Sequence, residues 1–126
     1  MAAQVAGATR YVLAFDTANE VISIGVGALH PESKTIESVA SVEVRAYRAS
    51  NTQLLPHVDE LLAEHGIARG DIACVACGRG PGSFTGVRIG VSTVKALAHA
   101  ANKPCVAVDA LEALAANVTA FDGVVC

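Results

Sequence analysis

Tryptophan is absent from this chain of 126 residues, methionine occurs once, and aromatic residues make up only 4% of it. A core built without large rings has to be assembled from Ala, Val, Leu and Ile, whose small volumes let elements approach closely. Apolar residues nevertheless reach 52%, with a mean hydropathy of +0.46. That is more apolar than a typical solvated domain, so part of this surface is expected at an interface rather than in a core. Basic residues are few: nine Lys and Arg against twelve Asp and Glu, a formal charge of −3 and a pI of about 5.7. Without a Lys/Arg cluster the chain cannot hold a phosphate backbone unaided, which argues against tight nucleic-acid binding by this chain alone. No apolar run reaches the roughly 20 residues that span a bilayer. Met1 to Arg10 lacks the basic start and apolar stretch of a secretion signal. The four cysteines (Cys74, Cys77, Cys105 and Cys126) sit in apolar or strand-like contexts. Together with the missing signal, that points to a reducing cytoplasm and no membrane. The length suffices for one domain with a real core, not two.

The pattern along the chain changes period several times. Residues 1–9 read as a loose tail, and 10–126 as the domain. Tyr11 to Phe15 is a dense apolar run closing at Asp16, a buried strand. Val21 to Ala28 is a second strand, and Glu37 to Arg45 alternates polar and apolar like a half-exposed edge strand. From Asn51, read as an N-cap, the spacing becomes helical. Leu54, Val58, Leu61 and His65 share a face, Leu55 and Leu62 widen it, and Gly66 supplies the stop. Pro56 falls near the first turn, where its missing N–H matters least. Asp71 to Gly78 is a buried strand, Phe84 to Ala101 a long helix, Lys103 to Val108 a strand and Ala110 to Val118 a short helix. Phe121 to Cys126 reads as the opening of a further strand, as if a second half were absent. The order βββαβαβα predicts a three-stranded antiparallel meander extended by parallel strands through crossovers.

Between the fourth strand and the long helix lies Gly80-Pro81-Gly82-Ser83-Phe84-Thr85-Gly86-Val87-Arg88-Ile89-Gly90. Such a loop can cradle a phosphate with its N–H groups. It is not a P-loop, because Val87-Arg88 stands where Lys-Ser/Thr is needed, and Ser83 breaks the dinucleotide spacing. The structural use is a tight turn with positive φ at glycine and Ser83 as N-cap. Gly86 and Gly90 are four apart on the helix, with Val94 and Leu97 continuing that face. The strip is flat enough for another helix to approach, either the first helix of this chain or one from a partner. Asp16 and Thr17 allow two uses: a turn stabilised by the Asp side chain, or a nucleotide contact. Cys74-Val-Ala-Cys77 has CxxC spacing but lies on a strand, where residues three apart face opposite ways; small buried hydrophobes are expected. The histidines have no metal-ligand spacing.

The eleven residues Gly80 to Gly90 closely resemble the signature loop and helix of the TsaB family, also called YeaZ. Phe15-Asp16-Thr17, Leu54-Leu55-Pro56, Asp71-Ile72, Lys95 to Ala98 and Val108 to Ala115 resemble the flanking family elements in the same order. The chain departs at Asn51-Thr52-Gln53, where the family often has a His-Ser-Glu-like lead. This resemblance implies an α/β ribonuclease H-like, actin-like domain in the cytoplasm. It also implies a non-catalytic subunit that binds and activates a TsaD-like protein for threonylcarbamoyl transfer to the adenosine beside the tRNA anticodon. A TsaE-like ATPase is a further partner, and tRNA is met only through the complex. No cofactor is expected on this chain alone; ATP and metal belong to partner subunits. The TsaD family's His-x-x-x-His pair has no counterpart, since the matching stretch is Asp109 to Ala113.

The resemblance places the partner interface on Leu54, Leu55, Val58, Leu61, Leu62, Gly86, Gly90, Val94 and Leu97, a surface a homodimer can also use. On this reading Gly90→Glu leaves the domain folded and abolishes partner binding. The alternative is an enzyme: an actin-like phosphotransferase, or a glycoprotease-type peptidase like those of the M22 group. Ser83 lacks a Gly-x-Ser-x-Gly elbow, which weakens the peptidase.

Overall fold

A computed structural model describes residues 8–46 and 49–117; residues 1–7 of the tail expected at 1–9, and the strand expected at Phe121 to Cys126, lie outside them. The elements are β1 (Arg10–Asp16), β2 (Val21–His30), β3 (Thr35–Arg45), α1 (Ser50–Glu64), β4 (Ile72–Gly78), α2 (Phe84–Ala101), β5 (Cys105–Val108) and α3 (Ala110–Ala115). A 3₁₀ turn, Arg69–Asp71, leads into β4. The expected order βββαβαβα is thus present. The five strands form one sheet in the order β3-β2-β1-β4-β5. The pairs β1–β2 and β2–β3 are antiparallel, and β1–β4 and β4–β5 parallel. This mixed α/β fold is ribonuclease H-like.

Alternation sends Leu13 and Phe15 to one face, where register sets Leu13 beside Val26 and Val75, and Phe15 beside Ile24 and Cys77. All six are at most 4% exposed. Both long helices cover this face, α1 over β2 and β3 and α2 over β1, β4 and β5. From α1 come Leu54, Val58, Leu61 and Leu62, all buried. Burying one such side chain contributes about 1.5–3 kcal/mol, so this layer is the main source of stability. The opposite face carries small residues, with Ala14 beside Gly25 and Ala76. The short α3 sets Ala113 beside Ala14, Gly25 and Ala76 and leaves Leu111 and Leu114 exposed, 63% and 64% accessible.

Helix ends follow their chemistry. Ala49, not Asn51, is the N-cap of α1; it offers no side-chain bond, and Thr52 Oγ1 instead donates to Ala49 O at 3.0 Å. Asn51 lies inside the first turn because the helix starts one residue earlier, at Ser50. Gly66, at φ 64°, ends the chain reversal, with Ile67 N donating to Leu62 O at 2.9 Å, the 6→1 bond of a Schellman motif. Ser83 caps α2 as expected, accepting from Gly86 N at 3.2 Å.

Candidate functional site

The glycine loop is a turn held by the neighbouring β1–β2 connection. Gly80 is buried and takes φ 88°, a conformation that L side chains rarely adopt. Ser83 N donates to Ala18 O at 2.8 Å, and Gly86 N is taken by the Ser83 hydroxyl. Two of the loop's amides are therefore already paired with protein acceptors. Pro81 and Gly82 are exposed at the tip, and Phe84, in the first helical turn, is 77% exposed.

Asp16 is a turn-former: its Oδ1 accepts from Ala18 N at 2.7 Å, and its carboxylate lies directly against the Gly78 backbone, where a Cβ would collide with it. Thr17 is 2% exposed, and its hydroxyl donates to Gly86 O at 2.6 Å. That bond uses the hydroxyl's single proton. Around this junction Thr17, Asn19, Glu20, Ser50, Asn51, Ser83 and Thr85, together with Ala18, Ala46 and Ile89, line an open cleft of about 680 Å³. Asp16 does not line it. Among the described residues, no group of three or more His, Cys, Asp or Glu is placed to hold a metal.

The glycine face of α2 points the other way from the expected interface. A Cβ on Gly86 would run into the Thr17 carbonyl, and one on Gly90 would come within 2.9 Å of Thr17 Oγ1. These glycines let the helix lie on the β1–β2 turn of its own domain. Val94 is likewise buried, as are Leu54, Val58, Leu61 and Leu62. Seven of the nine residues expected at a partner interface are therefore occupied by this domain's own core. Leu55, 45% exposed, and the half-buried Leu97 remain on the surface. They flank a groove of about 340 Å³ between α1 and α2, floored by Leu13, Ile72 and Val75. At its edge Arg69 Nη2 donates to Asp59 Oδ1 at 2.8 Å.

The outward side of the helix pair is unusual in another way. On α2 the residues turned from the core are Thr85, Ser92, Ala96 and Ala100, all exposed, with Ile89 and Thr93 beside them lining the recesses toward α1. On α1 they are Thr52, Pro56, Asp59 and Ala63, also exposed. The one charged member, Asp59, is paired with Arg69, whereas exposed helix positions normally favour Lys and Glu. This strip was missed from sequence because the glycines drew attention to the opposite side. The available signal was charge-free i, i+4 spacing at 85, 89, 92, 93, 96 and 100. Arg88 lies at the margin of the strip, in a shallow recess with Asn51 and Ser92.

The cysteines behave as their strand context implies only in part. Cys77 is 1% exposed, Cys74 is half-buried on the other sheet face and Cys105, opening β5, is exposed. Burial pushes both the Cys74 and Cys77 thiols up from their ordinary value, with Cys105 adding to it in each case and Asp16 in that of Cys77. A raised thiol is a poor nucleophile at neutral pH.

A family model described as TsaD, tRNA N6-adenosine threonylcarbamoyltransferase, matches residues 35–126. A Bacillus subtilis protein named tRNA threonylcarbamoyladenosine biosynthesis protein TsaB is 35% identical over 90% of this chain and 47% of its own length. The structure of YeaZ from Pseudomonas aeruginosa superposes with a TM-score of 0.68 at 38% identity, over 79% of this chain and 44% of that one. Thermus thermophilus RuvC, at 16% identity and a TM-score of 0.54 over 81% of this chain and 67% of its own, shares the fold. The chain spans just under half the length of the curated relatives it matches. Among the described residues, no helix is long and apolar enough to cross a membrane.

Proposed function

Because the chain belongs to the TsaB (YeaZ) family, we propose that it serves the biosynthesis of threonylcarbamoyladenosine on tRNA as a binding subunit without catalytic residues of its own. Its α1–α2 face docks on a TsaD-like protein, which supplies the nucleotide and metal sites and contacts the tRNA; a TsaE-like ATPase completes the assembly. The observation that carries this reading is the outer strip of small side chains, Thr52, Pro56 and Ala63 on α1 with Thr85, Ser92, Ala96 and Ala100 on α2, all exposed, whose one charge, Asp59, is paired with Arg69. Small side chains there let a second helix pair approach to the 8–10 Å of close helix packing. The groove between Leu55 and Leu97 offers a socket for one large apolar side chain, the kind of anchor that dominates interface energy. Catalysis by this chain has less support. Thr17 is engaged with Gly86 O, and the described residues that line the cleft beside it include no Lys or Arg.

Isothermal titration of this chain into the TsaD-like protein of the same organism tests the reading, with Ala96→Glu as the variant. Ala96 is exposed, so the variant stays folded, while a charge desolvated at the centre of an interface weakens binding at least tenfold, or about 1.4 kcal/mol. Equal binding by parent and variant would move the interface elsewhere. Micromolar binding of ATP–magnesium by the chain alone, lost in Asp16→Ala, would establish the enzyme reading instead.

A further inference from the structure

The two helices that bound the outer strip are charged in opposite senses. Helix α1 carries Asp59, Glu60 and Glu64 with no Lys or Arg, and α2 carries Arg88 and Lys95 with no Asp or Glu. Asp59 faces the groove and is neutralised by Arg69. Glu60 and Glu64 are four apart and therefore share a strip. The groove-lining positions of α1 are Leu55, Val58, Asp59 and Leu62, which places Glu60 and Glu64 on the helix's outer flank. On α2, residues 88, 92, 95 and 99 share another strip. Toward α1 that helix turns Ile89, Thr93, Leu97 and Ala100, so Lys95 and His99 lie on its outer flank, with Arg88 at its start. All five side chains are exposed. Among the described residues, Glu60 pairs only with His57, at 3.7 Å. Among the described residues, Glu64, Arg88 and Lys95 form no ion pair. The face is thus a neutral band between an anionic edge and a cationic edge, with neither edge paired across it.

Resting on the docking reading above, we infer that the partner presents a two-helix face of inverse charge order. A Lys/Arg-bearing helix edge lies along Glu60 and Glu64, and an Asp/Glu-bearing edge along Arg88, Lys95 and His99. Like charges brought together at an interface are repelled, so the polarity selects one of the two ways of laying a helix pair on this strip. Rim charges of this kind act on encounter more than on residence, and their reach is about 8–10 Å at physiological salt. A second copy of this chain, turned so that its α2 lies over α1, would satisfy the same order. It is the competing occupant.

The test is stopped-flow association of the whole chain with the TsaD-like protein from 50 to 500 mM NaCl, using a polarity swap: Glu60→Lys, Glu64→Lys, Arg88→Glu and Lys95→Glu together. The swap exchanges two charges of each sign, so net charge is unchanged and every altered residue is exposed. The expected result is a parent on-rate that falls with salt, and a swap variant about tenfold or more slower at low salt that converges on the parent at high salt. Circular dichroism confirms that both are folded. A parent that binds with a salt-independent on-rate, indifferent to the swap, while Ala96→Glu still weakens binding, overturns the charge order and leaves the docking reading standing. A folded parent that does not bind overturns both. Self-association in sedimentation that the swap abolishes, with partner binding untouched, overturns the proposal in favour of the second copy.

Discussion

The inner face of α2, built on Gly86, Gly90, Val94 and Ala98, is buried against its own domain, whereas the outer face, with Thr85, Ser92, Ala96 and Ala100, meets solvent with side chains almost as small. Inside, smallness is forced by proximity: the Thr17 backbone occupies the space of a Cβ at position 86. Outside, no other described element covers those positions, so none of the described residues demands it. The comparison teaches that small residues mark close approach without saying to what. One side of the helix approaches a turn of the same chain, and the other meets solvent among the described residues.

The widest break in the comparison comes from charge on the inner face. Gly90→Glu buries a carboxylate against Thr17 Oγ1 with no described cation beside it, a cost above about 4 kcal/mol. For a domain at the lower end of the typical total of about 5–15 kcal/mol, where a core of this size with few aromatic rings falls, the far-ultraviolet dichroism of the native state should be largely lost. A folded Gly90→Glu would show that α2 can roll and expose its glycine face. This reverses the expectation from sequence that the variant stays folded and fails only in binding.

A smaller change asks what holds the inner face besides shape. Thr17→Val keeps the volume and removes the hydroxyl that donates to Gly86 O. The expected loss is about 1 kcal/mol in urea unfolding, with partner affinity unchanged. No loss would mean that glycine shape alone seats the helix.

The smallest effect concerns the sheet beneath α2, where Cys77 is inward and Cys74 is on the other face. Both thiols are raised above their ordinary value, chiefly by burial, so the folded state favours the neutral form. Their contribution is complete below the unfolded thiol pKa, ordinarily about 9, and is lost as pH rises through the higher folded values. Unfolding between pH 8 and 10 should show stability falling, and falling less in Cys77→Ala. Equal slopes would show that the inward position of Cys77 is not felt as desolvation.

Much of the architecture was legible because it rests on local rules. The apolar alternation of β1 and β2, the period change at α1, and Ser83 and Gly66 as helix boundaries all act within a few residues, and the structure has them where the pattern placed them. The N-cap of α1 was misplaced at Asn51 because a good capping residue stands one position inside the helix that Ala49 actually opens. The site was less legible. Helical spacing groups Gly86 with Gly90 and Leu54 with Val58, but it cannot tell which neighbour a grouped face meets.

The sequence by itself determined the element order, the loop chemistry and the family likeness, since each depends on residue type and short spacing along the chain. Only the tertiary structure decided direction: that Thr17, 69 residues from Gly86, reaches its carbonyl and claims the glycine face. By claiming one side of α2 it assigned the other to solvent. The physical reason is that a helix face is defined by angle around an axis, and the sheet that fixes that angle is assembled from strands distant in sequence.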